Sequence, residues 1–291
     1  GRRSQAHTGQ PLSELLNHSD GPVFATVAAS YFVSLAAFSI MTFVFSLFGQ
    51  NRFGLDERQI GYIMAAIGGI GVIMQGFGFT LNSVGGLLGV NRTADVEALK
   101  AGVKTGAVSS ILFPADVVAN ITRIISDLKA IFPIAPDHFL IGPMAKLGWG
   151  KPTLISLELG IIIDIPVPRV IILGVLRCIL PTKEAAILKL QVNFAGGIDF
   201  AQGLIWFDAS LFDSQILVFT LTGDMALRIG WKDPVFVVSV GGFHPAFKEV
   251  PADLTGMRRI MLSLLSGDNP RLSAQIYFAV TSNSVQSGAK V

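Results

Sequence analysis

The spacing of hydrophobic residues changes along the chain, and each change predicts a different kind of structure. Residues 21–51 and 59–91 form two long runs without a charged side chain. Between about 93 and 132 the apolar residues recur every three or four positions, which is typical of helices that bury one face. Beyond residue 137 apolar and polar residues alternate, which is typical of strands. The pattern therefore predicts a membrane segment, then amphipathic helices, then a β-rich region.

The two uncharged runs are each predicted to contain a membrane-spanning helix. A spanning helix needs about 20 predominantly apolar residues, and residues 24–48 of the first run satisfy this length. In the second run, the glycines that follow Gln75 disfavour a helix. We therefore predict a helix up to about residue 75, a break, and a strand or turn around 77–90. The short segment NRFGLDER joins the runs, so the two spans are expected to form an antiparallel hairpin.

Two amphipathic helices are predicted after this Gly-rich stretch. Thr93 is placed to act as the N-cap of ADVEALKA, with acidic residues in the first turn. The segment PADVVANITRIISDLKAIFP is bounded by Pro114 and Pro133 and is predicted to pack as an ordinary surface helix. Its apolar face contains Val117, Ile121, Ile124, Leu128 and Ile131, and its polar face contains Asn120, Arg123 and Asp127.

The alternating region predicts roughly ten strands, separated by short turn signals, which favours antiparallel neighbours. Alternation places every second side chain on the same face, and such strands usually have one buried and one solvated face. We therefore predict one buried side and an exposed side that carries Glu158, Lys189 and Gln191. The residues predicted to share the buried side are Leu157, Leu159, Ile161, Leu188, Leu190 and Val192.

The expected fold class is mixed: an N-terminal transmembrane α-hairpin, then amphipathic helices, then an antiparallel β-meander that forms an open curved sheet. The expected domains are a polar N-terminal segment, a two-helix membrane segment, a Gly-rich entry with amphipathic helices, and the β-rich domain. Their bounds are 1–20, 21–75, 76–136 and 137–291. Because the chain starts at Gly1 and stops at Val291 within a predicted strand, it is expected to be a fragment truncated at its C-terminus.

Composition supports a membrane-embedded or lipid-facing protein. The chain is 51% hydrophobic and only 14% charged, and its mean hydropathy is +0.59, whereas soluble domains carry about 25% charged residues. The net charge of +2 excludes the basic surface that nucleic acid requires. Arg92, Lys100 and Lys104 follow the second predicted span, which favours the cytoplasmic side for the β domain. The expected location of residues 21–75 is the bacterial inner membrane.

Residue types that carry chemistry do not form a recognisable constellation. Cys178 is the only cysteine, so neither an internal disulfide nor a thiolate metal site is expected. The histidines are His7, His18, His138 and His244. They lack metal-ligand spacing, and no catalytic, cofactor-binding or metal-binding residue is predicted. The alternative left open is a carboxylate site for hydrolysis, built from Asp208, Asp213 and Asp224.

Two stretches resemble known families. The segment FSLFGQNRFGLDERQIGYIMAAIGGIGVIMQ resembles helices 7 and 8 of a major facilitator superfamily drug/proton antiporter, over about residues 20–75. That resemblance implies transmembrane transport, although two helices cannot form the central cavity of such a protein. Motifs such as FTLTGDMALRIGW, SVGGFHPAF and SGDNPRLSAQIYFAVTSNSVQSGA resemble a large uncharacterised bacterial β-rich family over about residues 76–291. This second resemblance implies a β-rich fold and no particular activity.

Three functional hypotheses follow. The first is a non-enzymatic, membrane-associated β-rich protein with a structural or apolar-ligand-binding role, whose partners are the lipid bilayer and lipids or another apolar ligand. On this hypothesis the chain is a chimeric or fragmentary gene product. The second is a fragment of a major facilitator superfamily transporter. The third is a hydrolase with a carboxylate site.

Overall fold

A computed structural model describes residues 54–114, 116–150, 152–182, 185–264 and 272–291, together with Ser39, Phe43, Ser46, Leu47 and Gln50. Backbone contacts divide the chain into two compact units, Gly1–Ile73 and Met74–Val291. The predicted polar segment 1–20 lies outside the described residues, and so does nearly all of the first predicted span.

The second predicted span corresponds to helix α1, Glu57–Gly76. The side chains of Asp56 and Gln59 each accept a hydrogen bond from the backbone N–H of the other, at 2.7 and 2.9 Å, and so form a capping box at its start. Among the residues that the structure describes, no helix combines the length and the apolar character needed to cross a bilayer. The predicted N-terminal transmembrane α-hairpin is therefore wrong for this part of the chain. The physical reason is that the apolar part of α1 is limited by Arg58 and Gln59 at its start and by Gln75 at its end, so it is shorter than the about 20 apolar residues of a typical span.

The predicted break after residue 75 is confirmed. Helix α1 ends at Gly76, and strand β1, Phe79–Arg92, follows two residues later. Gly78 turns the chain with φ of +81°, a conformation that glycine adopts without steric cost. The Trp149 indole N–H donates to the Phe77 carbonyl at 2.9 Å and fixes the turn to the far end of the neighbouring strand.

Three helices follow β1: α2, Val96–Thr105; α3, Ala107–Leu112; and α4, Val117–Ile131. The N-cap of α2 is Asp95 rather than the predicted Thr93, because the Asp95 carboxylate accepts from the Ala98 N–H at 3.0 Å. The Thr93 hydroxyl donates instead to Asp164, on the sheet. Helices α2 and α3 lie on the sheet, and α4 packs against these two helices.

Helix α4 has the predicted bounds but buries only part of its predicted apolar face. Ile124 and Ile131 are buried, while Val117 and Ile121 are exposed. Its position above α2 and α3 explains this difference, since a helix in the outermost layer has covering partners along only part of its length.

The β-rich character predicted for the remaining chain is confirmed by a single eleven-stranded sheet. Its pairings are all antiparallel, and its spatial order follows the chain from β1 to β8 and then continues to β10 and β11, while β9 pairs with β7 and β10. A short 3-10 turn, Ala252–Leu254, precedes β9. The strands after β1 are β2 Ile134–Trp149, β3 Ile155–Ile165, β4 Arg169–Leu180, β5 Leu188–Asp199, β6 Leu204–Ile216, β7 Phe219–Gly230, β8 Val235–Val240, β9 Ile260–Leu264, β10 Leu272–Thr281 and β11 Ser284–Lys290.

The sheet has an inner face, on which α2 and α3 lie, and an outer face on the opposite side. The two clusters of buried apolar residues take all their sheet members from the inner face. Those members are Leu140, Met144, Ile162, Ile171, Leu173, Val175, Ala195, Trp206, Ala226, Val237 and Ala279. The core of the sheet unit therefore lies between the helices and the inner face.

The predicted period of the strands is correct, but the predicted assignment of faces is wrong. Glu158 and Gln191 are buried, with 2% and 7% of their surface exposed, whereas Ile161 on the opposite face is 38% exposed. Lys189 and the predicted leucines are half-buried. The polar residues can be buried because cross-strand partners engage them: one carboxylate oxygen of Glu158, for example, pairs with Lys146 and Arg177.

Candidate functional site

The outer face is a continuous hydrocarbon surface, and the strand register builds it row by row. Side chains paired across neighbouring strands point to the same face. The first row runs from β1 to β8 through Leu88, Ile141, Ile163, Val170, Ile198, Ile205, Ile229 and Phe236.

Two further rows lie beside the first and are equally apolar. The second contains Ile161, Ile172, Gly196, Phe207, Leu227, Val238, Val280 and Val285. The third contains Val84, Ala145, Leu159, Gly174, Phe194, Ala209, Met225, Val240 and Phe278. As far as β10, none of these three rows contains a charged or hydrogen-bonding side chain; on β11 the third row continues to Ser287, which pairs with Phe278.

Aromatic rings cover the glycines near the centre of the outer face. A Cβ added to Gly174 would collide with the ring of Phe194, and one added to Gly196 would lie 2.8 Å from Cδ2 of Phe207. The two rings stack with their centroids 5.7 Å apart. Because each ring lies over a glycine, the centre of the face is filled by flat aromatic surface in addition to branched side chains.

Large side chains of the outer face remain accessible. Phe236, Met225 and Phe278 are 41%, 44% and 45% exposed. Contiguous apolar patches of more than a few hundred Å² are rare on monomeric proteins and usually mark a binding surface. The outer face, defined by these three rows, is therefore the candidate functional site.

The three predicted carboxylates do not form one site, because each is engaged by a different cation. Asp208 pairs with Arg228 at 3.0 Å, and Asp213 with Lys189 at 2.5 Å. Asp224 accepts from Arg258 at 2.8 Å and from the Ser210 hydroxyl at 2.8 Å. These pairings explain the carboxylates as parts of the sheet's own ion pairs.

Burial and the ion pairs together shift the pKa values of the three carboxylates in different directions. Burial raises the pKa of Asp208, and the opposing effect of Arg228 is the smaller one. Burial alone would also raise the pKa of Asp224, but the hydrogen bonds from Arg258 and Ser210 together outweigh it and lower that pKa. The hydrogen bond from Lys189 lowers the pKa of Asp213.

Arg228 also connects the sheet to the helices. Its guanidinium contacts Asp253 in the 3-10 turn at 2.9 Å, and Lys100 of α2 contacts the same carboxylate at 3.1 Å. Burial would raise the pKa of Asp253, but Arg228 and Lys100 lower it overall. This cluster fixes α2 and the 3-10 turn to the inner face, which indicates a structural role.

The other singled-out residues are dispersed. His138 lies 3.8 Å from Asp164, and His244 accepts from the Ala246 N–H; His7 and His18 lie outside the described residues. Cys178 is a free, half-buried thiol on β4. The part of the chain that the structure describes contains no group of three or more histidine, cysteine or acidic residues placed to hold a metal ion.

Sequence reasoning missed the outer face because it assumed that the apolar side of each strand would be covered. The signal was present: alternate positions of β3 are all aliphatic, and those of β5 are aliphatic or aromatic except for Gly196. What could not be read from the strands is that the helices would cover the polar side instead.

Comparison with family models gives a match, over residues 27–291, to a family of unknown function, DUF6603. The predicted resemblance to an uncharacterised family is thereby confirmed. The match also includes most of the segment that resembled an antiporter, and nothing in the comparisons supports that transporter resemblance. Neither the curated proteins nor the solved structures contain a match to the chain.

Proposed function

The chain belongs to the DUF6603 family of unknown function, and we propose that it is a non-enzymatic protein that binds the hydrocarbon chains of membrane lipids on the outer face of its sheet. The observation that carries this proposal is the register: three adjacent rows of paired side chains run across strands β3 to β8 without one hydrogen-bonding group.

The chemistry of the outer face favours lipid over a protein partner. Protein interfaces typically contain about one hydrogen bond per 100–200 Å², and a polar rim surrounds their apolar core. The three rows offer only aliphatic and aromatic contacts, so they suit an occupant that requires no hydrogen bond. An acyl chain gains about 0.8 kcal/mol for each CH₂ group removed from water. About ten buried groups would give roughly micromolar affinity before the entropic cost of binding is subtracted.

Neither alternative function has comparable support. Transport finds no support in the family comparison, and the carboxylates proposed for hydrolysis are each held in an ion pair. Location in a bacterial inner membrane stays a prediction, and association with lipid is the part of it that the outer face supports.

The first test is to purify the protein, extract it with organic solvent and quantify the released lipid by mass spectrometry. Met225→Lys places a charge in the third row at a position that is 44% exposed, so the fold should tolerate it. We expect bound lipid to fall by at least about tenfold, because an ammonium group in contact with hydrocarbon costs more than the about 1.4 kcal/mol that corresponds to that factor.

The matched control is Val118→Lys, which puts the same charge on an apolar residue of α4 that is 89% exposed and outside the outer face. Its lipid content should equal that of the unmodified protein. Equal lipid in both variants would contradict the proposal. So would a lipid-free dimer that Met225→Lys converts to a monomer, since a second copy would then be the occupant of the face.

A further inference from the structure

A second candidate site lies on the other side of the sheet, in a cavity of about 620 Å³ between α3, α4 and the ends of β1 to β4. Drug-sized ligands typically occupy clefts of about 300–1,000 Å³. The lining includes polar side chains from well-separated parts of the chain, so the fold, and not one local motif, brings them together. Those that can hydrogen-bond without a charge are Asn82, Ser109, Ser110, Asn120, Thr153 and Ser156.

Glu158 is the central group of this cavity lining. Only 2% of its surface is exposed, and one carboxylate oxygen, Oε1, receives both Lys146 at 2.9 Å and Arg177 at 2.8 Å. The other oxygen, Oε2, is buried and has no hydrogen-bond partner among the residues that the structure describes. A buried carboxylate oxygen without a donor is costly, so this atom is suited to accept a hydrogen bond from a bound molecule.

The cations around the cavity outnumber its carboxylate. Lys146 and Arg177 together carry two positive charges against the single charge of Glu158. Arg123 adds a third cation at the rim, where its side chain is 63% exposed and lies 3.7 Å from Asp127. The electrostatic balance of the lining therefore favours an anion, while Oε2 of Glu158 favours a molecule that also carries a hydroxyl donor.

We infer that this cavity binds a small hydroxylated anion, of which a sugar phosphate is the type. In the complex the anionic group lies against Lys146, Arg177 and Arg123, and a ligand hydroxyl donates to Oε2 of Glu158. The Arg guanidinium is suited to phosphate because its N–H groups bind two oxygens at once. This site is separate from the outer face, so either one can exist without the other.

The experiment is isothermal titration calorimetry of the full chain with three probes: glucose 6-phosphate, inorganic phosphate and glucose. We expect glucose 6-phosphate to bind most tightly, inorganic phosphate more weakly, and glucose weakest, because only the first has sugar hydroxyls that can reach Oε2 of Glu158 while its phosphate lies against the cations. Failure of glucose 6-phosphate to bind at 10 mM, or equal binding of glucose and glucose 6-phosphate, would overturn the inference.

Variants at the rim and at the carboxylate separate the two recognition elements. Arg123→Gln should weaken the binding of both anions by about tenfold, and because Arg123 is exposed the substitution should leave the fold intact. Lys232→Gln, at an exposed turn outside the cavity, is the matched control and should change neither affinity. Glu158→Gln removes the competing negative charge, so inorganic phosphate should bind more tightly and the advantage of glucose 6-phosphate should shrink. An equal effect of Arg123→Gln and Lys232→Gln would also overturn the inference.

Discussion

At the scale of single residues, the inner face shows how a sheet can bury charge. Asp224 is 2% exposed, yet both of its oxygens are satisfied. Oδ2 accepts from the Arg258 backbone N–H at 2.9 Å, and Oδ1 accepts from the Arg258 side chain and the Ser210 hydroxyl. A buried charge is tolerated only when it is paired and hydrogen-bonded. The same contacts fix Arg258, just before the start of β9, to the sheet.

Asp224→Asn should destabilise the protein by about 2 kcal/mol at pH 7, the typical loss for a hydrogen bond to a charged group. The folded protein lowers the pKa of Asp224, so its stabilisation is present above the unfolded pKa of about 3.9 and is lost as the pH falls below it. Urea unfolding measured from pH 7 to 3 should therefore show the two proteins converging in acid. Asp233→Asn at an exposed turn serves as the control; a difference that stays constant with pH would refute the assignment.

At the scale of elements, helix α2 depends on a local cap and on distant ion pairs. Asp95 caps its N-terminus, and Lys100 on the same helix contacts Asp253 from a segment far along the chain. Leu99 and Val103 turn into the core between the helices and the inner face. The helix is thus held at its start by a cap and along its length by burial.

Asp95→Ala should cost about 1 kcal/mol of unfolding free energy, the usual effect of removing an N-cap side chain. Thr93→Ala is the informative companion, because Thr93 and Asp95 are two residues apart but have different hydrogen-bond partners. Chemical denaturation monitored by circular dichroism should show that Asp95→Ser retains most of the unfolding free energy that Asp95→Ala loses. A full loss in Asp95→Ser would indicate that the Asp95 charge, and not the cap, is responsible.

At the scale of the whole molecule, the sheet separates two environments. The inner face, with α2 and α3, contains the buried core and the ion pairs, and the outer face contains the hydrocarbon rows. Charge is therefore concentrated on one side of the sheet and absent from the central rows of the other. This segregation is what allows the two proposed sites to bind ligands of opposite character.

Lipid binding to the folded chain should raise its stability by mass action. If palmitate binds only the folded state, a free concentration 100 times its dissociation constant adds about 2.7 kcal/mol. Differential scanning calorimetry should show a higher unfolding midpoint with palmitate in the unmodified protein and in Val118→Lys, but a much smaller rise in Met225→Lys. A similar rise in all three proteins would exclude the outer face as the palmitate site.

Several features of the fold were predictable from the sequence because their causes are local. The period of two in β3 and β5 follows from alternation of side chains along a strand. The end of α1 at Gly76 follows from the glycines that come next, and the helix at Val117–Ile131 follows from its apolar spacing and flanking prolines. These patterns determine which segments are helices and strands, and which residues share a face.

The tertiary structure alone decided which face is covered, and with it the candidate site. A period of two defines two faces but does not say where α2 and α3 will pack, because that depends on pairings between residues far apart in the chain. From the sequence alone, Glu158 is predicted to be solvent-exposed. Only the pairing of the strands brings Lys146 and Arg177 to its carboxylate. The same pairings align the aliphatic positions of separate strands into continuous rows, so the outer face exists only once the sheet has formed.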